Sequence, residues 1–185
     1  MNFPITLYLI GFSGTGKYTI ATEISKAGYK VVDNHLINNP IFSLLEGDGV
    51  TPIPKRAWHF ISKIRSAIFD FVSEDPYSNY VFTNELCETP GDREIYRQVQ
   101  EVAEKRNSLF IPVKLTISVE ERRKRITNPE RRLRFKSINP SELDEDKSLI
   151  HIDHPHLLEI NVTHLSPCDS AVHILHHVIK MKEAS

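Results

Sequence analysis

The sequence contains few of the residues that are typical of secreted or membrane proteins. Only two cysteines, Cys87 and Cys168, occur in 185 residues, too few and too far apart for a disulfide framework, so we expect a reducing, cytoplasmic environment. No apolar run approaches the roughly 20 residues that cross a bilayer. The apolar start "MNFPITLYLIGF" also lacks the basic segment that opens a secretion signal. We therefore expect a soluble protein without a membrane partner.

The chain also lacks an excess of either charge. Its formal net charge of -1 gives no attraction of the whole molecule to nucleic acid. Positive charge is concentrated instead, because eight of the 23 lysines and arginines lie between positions 121 and 136. A nucleic-acid-directed protein that uses this segment is the last-ranked hypothesis, since the rest of the chain is acidic. We expect no nucleic-acid partner and a local electrostatic function.

Apolar segments alternate with helical patterns along the chain, which predicts one α/β domain over 1–185 with a parallel sheet and helices on both faces. The expected strands are "ITLYLI", "YKVVD", "NYVFTNEL", "LFIPVKLTI" and "LLEINV". The longest helix is expected over 55–72, with an apolar face of Ala57, Phe60, Ile61, Ile64, Ile68, Phe71 and Val72. Irregular regions at about 36–54 and 120–148 follow strand ends, where such sheets bind ligands. The second region is polar and is expected to project from the core.

The stretch "GFSGTGKYT" at 11–19 joins the first strand to a helix and predicts a phosphate-binding loop. Its glycines let backbone N–H groups point inward, and the helix that begins at Lys17 adds the positive end of its dipole. A triphosphate is the natural ligand, with the lysine on its β and γ phosphates. The candidate nucleotide-binding residues are Gly11, Ser13, Gly14, Thr15, Gly16, Lys17, Tyr18 and Thr19.

Tyr18 stands where such loops place a magnesium-binding serine or threonine. A phenol reaches several ångströms farther than a serine hydroxyl, so Tyr18 cannot take the same ligand position. Magnesium keeps several waters and binds through substrate phosphates, so its site survives the loss of one protein ligand. We expect a functional site in which Thr19 supplies the nearest hydroxyl to the metal and Tyr18 packs.

The sequence resembles the small-molecule kinase branch of the P-loop proteins over nearly its whole length. "GKYT" is similar to the "GKGT" of adenylate kinase and its relatives, and the wider family includes shikimate and gluconate kinases. The segments "GTGKYTIA", "VVDNHLINNP", "VFTNEL" and "INVTHLSP" are more closely similar to bacterial proteins labelled AAA-family ATPases or shikimate-kinase-like proteins. The resemblance implies strand order 2-3-1-4-5, bound ATP and magnesium, a phosphoryl-acceptor insertion at about 36–75 and an arginine-rich lid at about 120–148.

The resemblance also implies roles for individual residues. Asp33, at the end of the second strand, would orient or deprotonate the acceptor hydroxyl or hold magnesium through water, although a helix cap or turn is the alternative for it. Arg125 would lie against the base, and Arg131 and Arg132 would meet the phosphates, although a solvated basic helix is the alternative for any single arginine. The turn "NVTHLSP" would contact the base, with Asn161, Thr163 and His164 as candidates, although a plain turn between strand and helix is the alternative.

Other positions stay open. The third strand ends with Asn84 and Glu85 where a metal-holding aspartate is usual, and alternation lets only one of the two face the loop. Arg56 or Arg65 would hold an anionic substrate, or belong to the charged outer face of an amphipathic helix. The histidines of "HIDHPH" and of the last helix have no metal-ligand spacing, so no metal is assigned to them.

The leading functional hypothesis is an ATP-dependent phosphotransferase that acts on a small metabolite, with magnesium as the second cofactor. Its alternative is a nucleotide-binding module that is non-catalytic or weakly hydrolytic and acts as a regulator. Tyr18 and the altered end of the third strand favour that alternative.

Overall fold

The structure is a computed structural model that describes residues 3–45, 52–128, 143 and 147–184. Its strands are β1 (Ile5–Gly11), β2 (Tyr29–Asp33), β3 (Asn79–Asn84), β4 (Leu109–Thr116) and β5 (Leu158–Asn161). They form one sheet in the order β2-β3-β1-β4-β5, and every neighbouring pair is parallel. This confirms the expected sheet and strand order.

Helices cover both faces of this sheet. They are α1 (Lys17–Ser25), α2 (Asn34–Phe42), α3 (Lys55–Ser73), α4 (Pro90–Lys105), α5 (Val119–Ile126) and α6 (Pro167–Ala184). Strand β1 is fully buried, and the side chains of its alternate residues point to opposite faces of the sheet. Tyr8 and Ile10 pack with α3 and α4, whereas Leu7 and Leu9 pack with α1 and α6. Because the strands are parallel, their carboxyl ends meet at one edge, where the loop at 11–16 lies.

Helix α2 is absent from the sequence prediction, which placed an irregular region from 36 onward. The helix is short and rich in asparagine, and Pro40 lies inside it, so its apolar periodicity is weak. Asp33 caps its first turn, and the buried Ile37 and Phe42 anchor it to the core. Since proline removes a backbone donor and crowds the preceding turn, the helix ends two residues after it.

The apolar face predicted for α3 is wrong at two positions. Phe60 and Phe71 are 51% and 71% exposed. The buried residues of α3 are Ala57, Ile61, Phe69 and Val72. Spacings of three and four residues return to one helix face, so the stripe that meets the sheet is narrower than the sequence suggests.

Two further findings bear on the expected environment. Neither cysteine forms a disulfide, Cys87 being half-buried and Cys168 exposed. No helix within the described ranges is both long enough and apolar enough to cross a membrane.

Arg106 fixes the edge of the sheet opposite the loop. Only 2% of it is exposed, yet its donors have hydrogen-bond acceptors: Nε donates to Asp75 O at 2.7 Å, Nη1 to Thr6 Oγ1 at 3.0 Å and Nη2 to Ser78 O. Its guanidinium lies 4.6 Å from the centre of the Tyr80 ring. A buried cation with satisfied donors ties α4 to β1 and to the loop before β3.

We expect Arg106→Met to lower the free energy of unfolding by about 3 kcal/mol, because the change leaves two buried carbonyls without a donor. For a chain of this length the midpoint of thermal unfolding falls by roughly 10 °C. Differential scanning calorimetry measures the shift. Arg97 is the matched control, since it forms only exposed ion pairs with Glu94 and Glu101, and Arg97→Met should move the midpoint by no more than about 2 °C. Equal midpoints for the two variants contradict this account of Arg106.

Candidate functional site

The loop between β1 and α1 has the backbone conformation of an anion-binding turn. Gly14 and Gly16 have φ values of 91° and 87°, which residues with a Cβ rarely adopt. Gly16 is the N-cap residue of α1 and has no side chain to cap it. The first turn of α1 is therefore not capped by the side chain of its N-cap residue, and the positive end of the helix dipole lies at the loop.

Lys17 folds back over this loop. Its Nζ donates to Gly11 O at 2.6 Å and to Phe12 O at 3.0 Å, so its charge lies at the mouth of the turn. Thr19 lies two residues further along α1, is exposed, and donates through Oγ1 to Gly16 O at 3.1 Å. Tyr18 is half-buried. The lysine and the loop glycines are thus brought together, and the Thr19 hydroxyl bonds to the last of these glycines.

The end of β3 places Glu85 on the loop. Its Oε2 accepts a hydrogen bond from Ser13 N at 2.6 Å. Asn84 faces the other way and accepts from the Tyr8 hydroxyl at 3.0 Å. The open choice between the two residues is resolved in favour of Glu85. A carboxylate on a loop N–H occupies a direction that a phosphate oxygen would otherwise take.

Helix α5 is docked on the same loop. Arg122 is 7% exposed, its Nε donates to Ser13 O at 3.1 Å, and its guanidinium carbon lies 4.4 Å from the centre of the Phe12 ring. A Cβ at Gly14 would come within 3.2 Å of Ile126 Cγ1 and 3.3 Å of Arg122 O. The expectation that 120–148 projects from the core is therefore wrong for α5. A basic helix packs here because Ile126 is apolar and the arginine finds a ring and a carbonyl.

A cavity of about 210 Å³ opens beside the loop. It is lined by residues of the loop and α1, of α5 and of the turn after β5, among them Thr15, Gly16, Thr19, Arg125, Val162 and Leu165. Arg125 Nε is held by Glu121 Oε1 at 2.9 Å. Aliphatic walls with a planar guanidinium suit a flat aromatic ligand such as a nucleotide base.

The turn after β5 is held in place by its own side chains. Asn161 Oδ1 accepts from Thr163 N at 3.0 Å, and Thr163 Oγ1 accepts from Ser118 N at 2.8 Å. Both side chains thus hold the turn and tie it to the start of α5, and His164 is exposed. The cavity is lined here by Val162 and Leu165.

Asp33 has the capping role that the sequence left open as an alternative. It is 3% exposed. Its Oδ1 accepts from His35 N at 2.9 Å and its Oδ2 from Thr83 Oγ1 at 2.7 Å. Both oxygens are thus used to join β2, β3 and α2, and β3 separates Asp33 from β1 and the loop.

The remaining candidate residues are four arginines, two of which lie within the described part of the chain. Arg56 is exposed on the first turn of α3, whereas Arg65 is partly buried in the middle of the same helix. Arg131 and Arg132 lie outside the described residues. No group of three or more histidine, cysteine or acidic side chains within the described part of the chain is arranged to hold a metal ion.

Sequence reasoning missed Arg122 altogether. Its signal is weak, because four basic residues follow one another at 122–125 and periodicity alone does not show which one faces the loop. The spacing from Arg122 to Ile126 is one helical turn, and this pairing of an arginine with an apolar residue on one face of the helix is the clue that was available.

Several solved structures are similar to this chain over almost its whole length. A gluconokinase from Sinorhizobium meliloti superposes with a TM-score of 0.66 at 16% identity, covering 100% of this chain and 97% of the other. The APS kinase of Mycobacterium tuberculosis, solved with AMPPNP and APS, gives 0.57 at 12% identity, covering 97% and 99%. The shikimate kinase of Aquifex aeolicus gives 0.54 at 14% identity, covering 98% and 100%.

Sequence comparison adds no closer relative. No family model matches the chain, and no curated protein matches it significantly. At 12 to 16% identity the solved structures establish the fold and leave the substrate open. The chain has the fold of the P-loop small-molecule and nucleotide kinases.

Proposed function

We propose that this chain is an ATP-dependent phosphotransferase that transfers the γ-phosphoryl group in line to a small metabolite. The observation that carries the proposal is the juxtaposition of a phosphate-sized turn with a cavity of about 210 Å³ on its flank. Gly16 and Thr19 line that cavity, so a nucleotide whose base enters it has its phosphates directed along the loop.

The donor side of this site is supported by three independent features. The inward N–H groups and the start of α1 favour an anion, Lys17 supplies a point charge, and Arg125 supplies a plane against which a base stacks. In the proposal Arg131 and Arg132 belong to a lid at about 120–148 that adds charge around the transferred group. The docked α5 is the fixed base of that lid.

The residues present fit magnesium. Glu85 offers a carboxylate at the end of β3, 2.6 Å from a loop N–H, and Thr19 offers a hydroxyl, both being oxygen ligands of the kind that magnesium prefers. Magnesium bound there would neutralise phosphate charge. Glu85 and Thr19 would be the residues that hold it, and Glu85 would have to give up its hydrogen bond with Ser13 N to do so.

The phosphoryl acceptor enters from the side of α2 and α3, the insertion proposed at 36–75. Two carboxylates lie at that edge of the sheet, Asp33 and Glu85. Glu85 is the better candidate to handle the acceptor hydroxyl or the metal, because it touches the loop, whereas both Asp33 oxygens already accept hydrogen bonds. Asp33 acts in this proposal as a positioning residue that fixes α2.

One observation favours the second candidate, a regulatory nucleotide-binding module. Glu85 and Lys17 both bond to the loop backbone, and a ligand must break these contacts. A regulatory protein that changes conformation only when a nucleotide binds tightly, and that catalyses no phosphoryl transfer, would use these two contacts to hold its unliganded conformation.

Incubation of the protein with ATP, magnesium and a set of small hydroxylated metabolites, analysed by mass spectrometry, separates the two functions. A metabolite whose mass rises by one phosphoryl group, with stoichiometric ADP, is the expected result. ATP binding accompanied by slow hydrolysis alone, across the whole set, contradicts the phosphotransferase.

Lys17→Met should lower turnover at least about 100-fold, because it removes the charge that meets the phosphates. Steady-state assays and binding of a fluorescent ATP analogue measure the effect. Lys26→Met is the matched control, since Lys26 lies just beyond α1 and pairs with Glu23 at 2.5 Å on the surface. Equal losses in the two variants would show that the loop charge has no special role.

Two isosteric substitutions distinguish the role of the Glu85 carboxylate from that of the Asp33 carboxylate. Glu85→Gln should tighten ATP binding without magnesium about tenfold, because a charge that repels phosphate is gone, and should lower magnesium-dependent turnover by at least as much. Asp33→Asn should leave turnover within about threefold, because asparagine is as good a cap as aspartate and its amide N–H donates to Thr83 Oγ1 where Asp33 Oδ2 accepts.

Calorimetric titration with ATP and initial rates of turnover, measured on both variants, decide which carboxylate takes part in the chemistry. If Asp33→Asn abolishes turnover while its melting curve and nucleotide affinity are unchanged, the chemistry belongs to Asp33 and the assignment to Glu85 is wrong.

A further inference from the structure

The cavity beside the loop is lined by separate parts of the chain. Arg125 comes from α5, whereas Val162 and Leu165 come from the turn after β5. A Cβ built at Gly16 would come within 3.7 Å of Arg125 Nη1, so the guanidinium lies close to the last glycine of the loop. An arginine side chain has many rotamers. It strengthens ligand binding most when the protein fixes it before the ligand arrives.

Glu121 holds Arg125 from one turn away on α5. Its Oε1 accepts from Arg125 Nε at 2.9 Å, and residues four apart lie on one face of a helix. The hydrogen bond from Arg125 lowers the pKa of Glu121, so the carboxylate is charged at neutral pH. Because Nε is the guanidinium nitrogen nearest the aliphatic part of the side chain, a bond there restricts the plane of the group.

The start of α5 is tied to the turn that carries the apolar lining. Ser118 is the N-cap residue of α5, and its Oγ accepts from Glu121 N at 3.3 Å. Its own N–H donates to Thr163 Oγ1 at 2.8 Å, and Thr163 N donates to Asn161 Oδ1 at 3.0 Å. Consecutive hydrogen bonds therefore run from the turn after β5 to Arg125. We call these five residues, Asn161, Thr163, Ser118, Glu121 and Arg125, the cavity network.

A purely structural role for Glu121 would be an ion pair that supports α5, and such pairs at a protein surface contribute little to stability. Glu120 and Glu121 lie in the same first turn of α5, so both interact favourably with the helix dipole. Glu120 is exposed and forms no ion pair with another described residue. Only Glu121 reaches the arginine of the cavity, and this difference separates its role from that of its neighbour.

We propose that Glu121 is a positioning residue for the nucleotide donor, and that it fixes the plane of the Arg125 guanidinium against which the base stacks. Ser118 and Thr163 tie the helix that carries this arginine to the turn that carries Val162 and Leu165. The identity of the ligand rests on the proposed function, but the effect is one of binding and requires no phosphoryl transfer.

The proposal separates the base of the nucleotide from its phosphates. A nucleoside triphosphate gains from the cavity network through its base, whereas inorganic tripolyphosphate has the same row of phosphates and no base. Loss of the network should therefore weaken ATP binding and leave tripolyphosphate binding unchanged. A change that disturbed the loop itself, or the fold as a whole, would weaken both ligands.

Calorimetric titration of ATP and of tripolyphosphate into the wild type and its variants measures the effect. Glu121→Met should weaken ATP binding about tenfold and leave tripolyphosphate within about twofold. Glu121→Gln should keep most of the affinity for ATP, because its amide oxygen still accepts from Arg125, though without the charge. Glu120→Met is the matched control, since it removes the same charge from the same turn, and it should bind both ligands as the wild type does.

Variants at the two ends of the cavity network test the connection. Thr163→Val removes the acceptor of Ser118 N and should weaken ATP binding, whereas Thr163→Ser keeps that acceptor and the affinity. Arg125→Met should lose as much affinity for ATP as Glu121→Met does. The double variant of Glu121 and Arg125 should lose no more than either single variant, because Glu121 acts through Arg125.

Three results overturn the proposal: Glu120→Met weakens ATP binding as much as Glu121→Met, Glu121→Met weakens both ligands equally, or the losses of the two single variants add in the double variant. Failure of the proposed function appears separately, as a wild type that binds ATP with this dependence on Glu121 but phosphorylates no metabolite. A wild type that binds neither ligand contradicts both.

Discussion

Two opposite charges hold the backbone of Ser13, and the rest of the site depends on them. Glu85 accepts from its N–H, and Arg122 donates to its carbonyl. The first contact joins the loop to the end of β3 and the second joins it to α5, so three separate parts of the chain meet at one residue. A phosphate that took the N–H would displace Glu85, and that displacement would free a carboxylate at the point where the proposed function places metal and acceptor. In the proposed function, binding of the donor is therefore coupled to the acceptor side through one hydrogen bond.

Arg106 is a buried cation that supports the fold from the edge of the sheet opposite the loop. At the amino ends of the strands it donates to the Thr6 hydroxyl of β1 and to the backbone carbonyls of Asp75 and Ser78 before β3, and so it holds β1, α4 and the loop before β3 together. A buried charge is tolerated in a folded protein when hydrogen-bond acceptors of this kind surround it.

The sheet could be predicted from the sequence because its strands are short apolar runs between glycine-rich or polar turns. The phosphate loop could be predicted because its glycines and its lysine all lie within residues 11–17. Side-chain direction could not be predicted at the strand ends. Side chains alternate along a strand, so a shift of one residue decides whether Asn84 or Glu85 faces the loop. Whether Asp33 caps a helix depends on α2, which was not predicted because its apolar periodicity is weak. The docking of Arg122 depends on a ring and a carbonyl that are more than 100 positions away. Local patterns therefore specified the elements, and long-range contacts decided the roles of the charged residues.

A crystal structure with a non-hydrolysable ATP analogue and magnesium tests the central claim most directly. The account predicts a phosphate oxygen within hydrogen-bond distance of Ser13 N, the Glu85 carboxylate withdrawn from that nitrogen, and the base in the cavity beside Arg125. An analogue bound elsewhere, or bound with the hydrogen bond between Ser13 and Glu85 still intact, would contradict it.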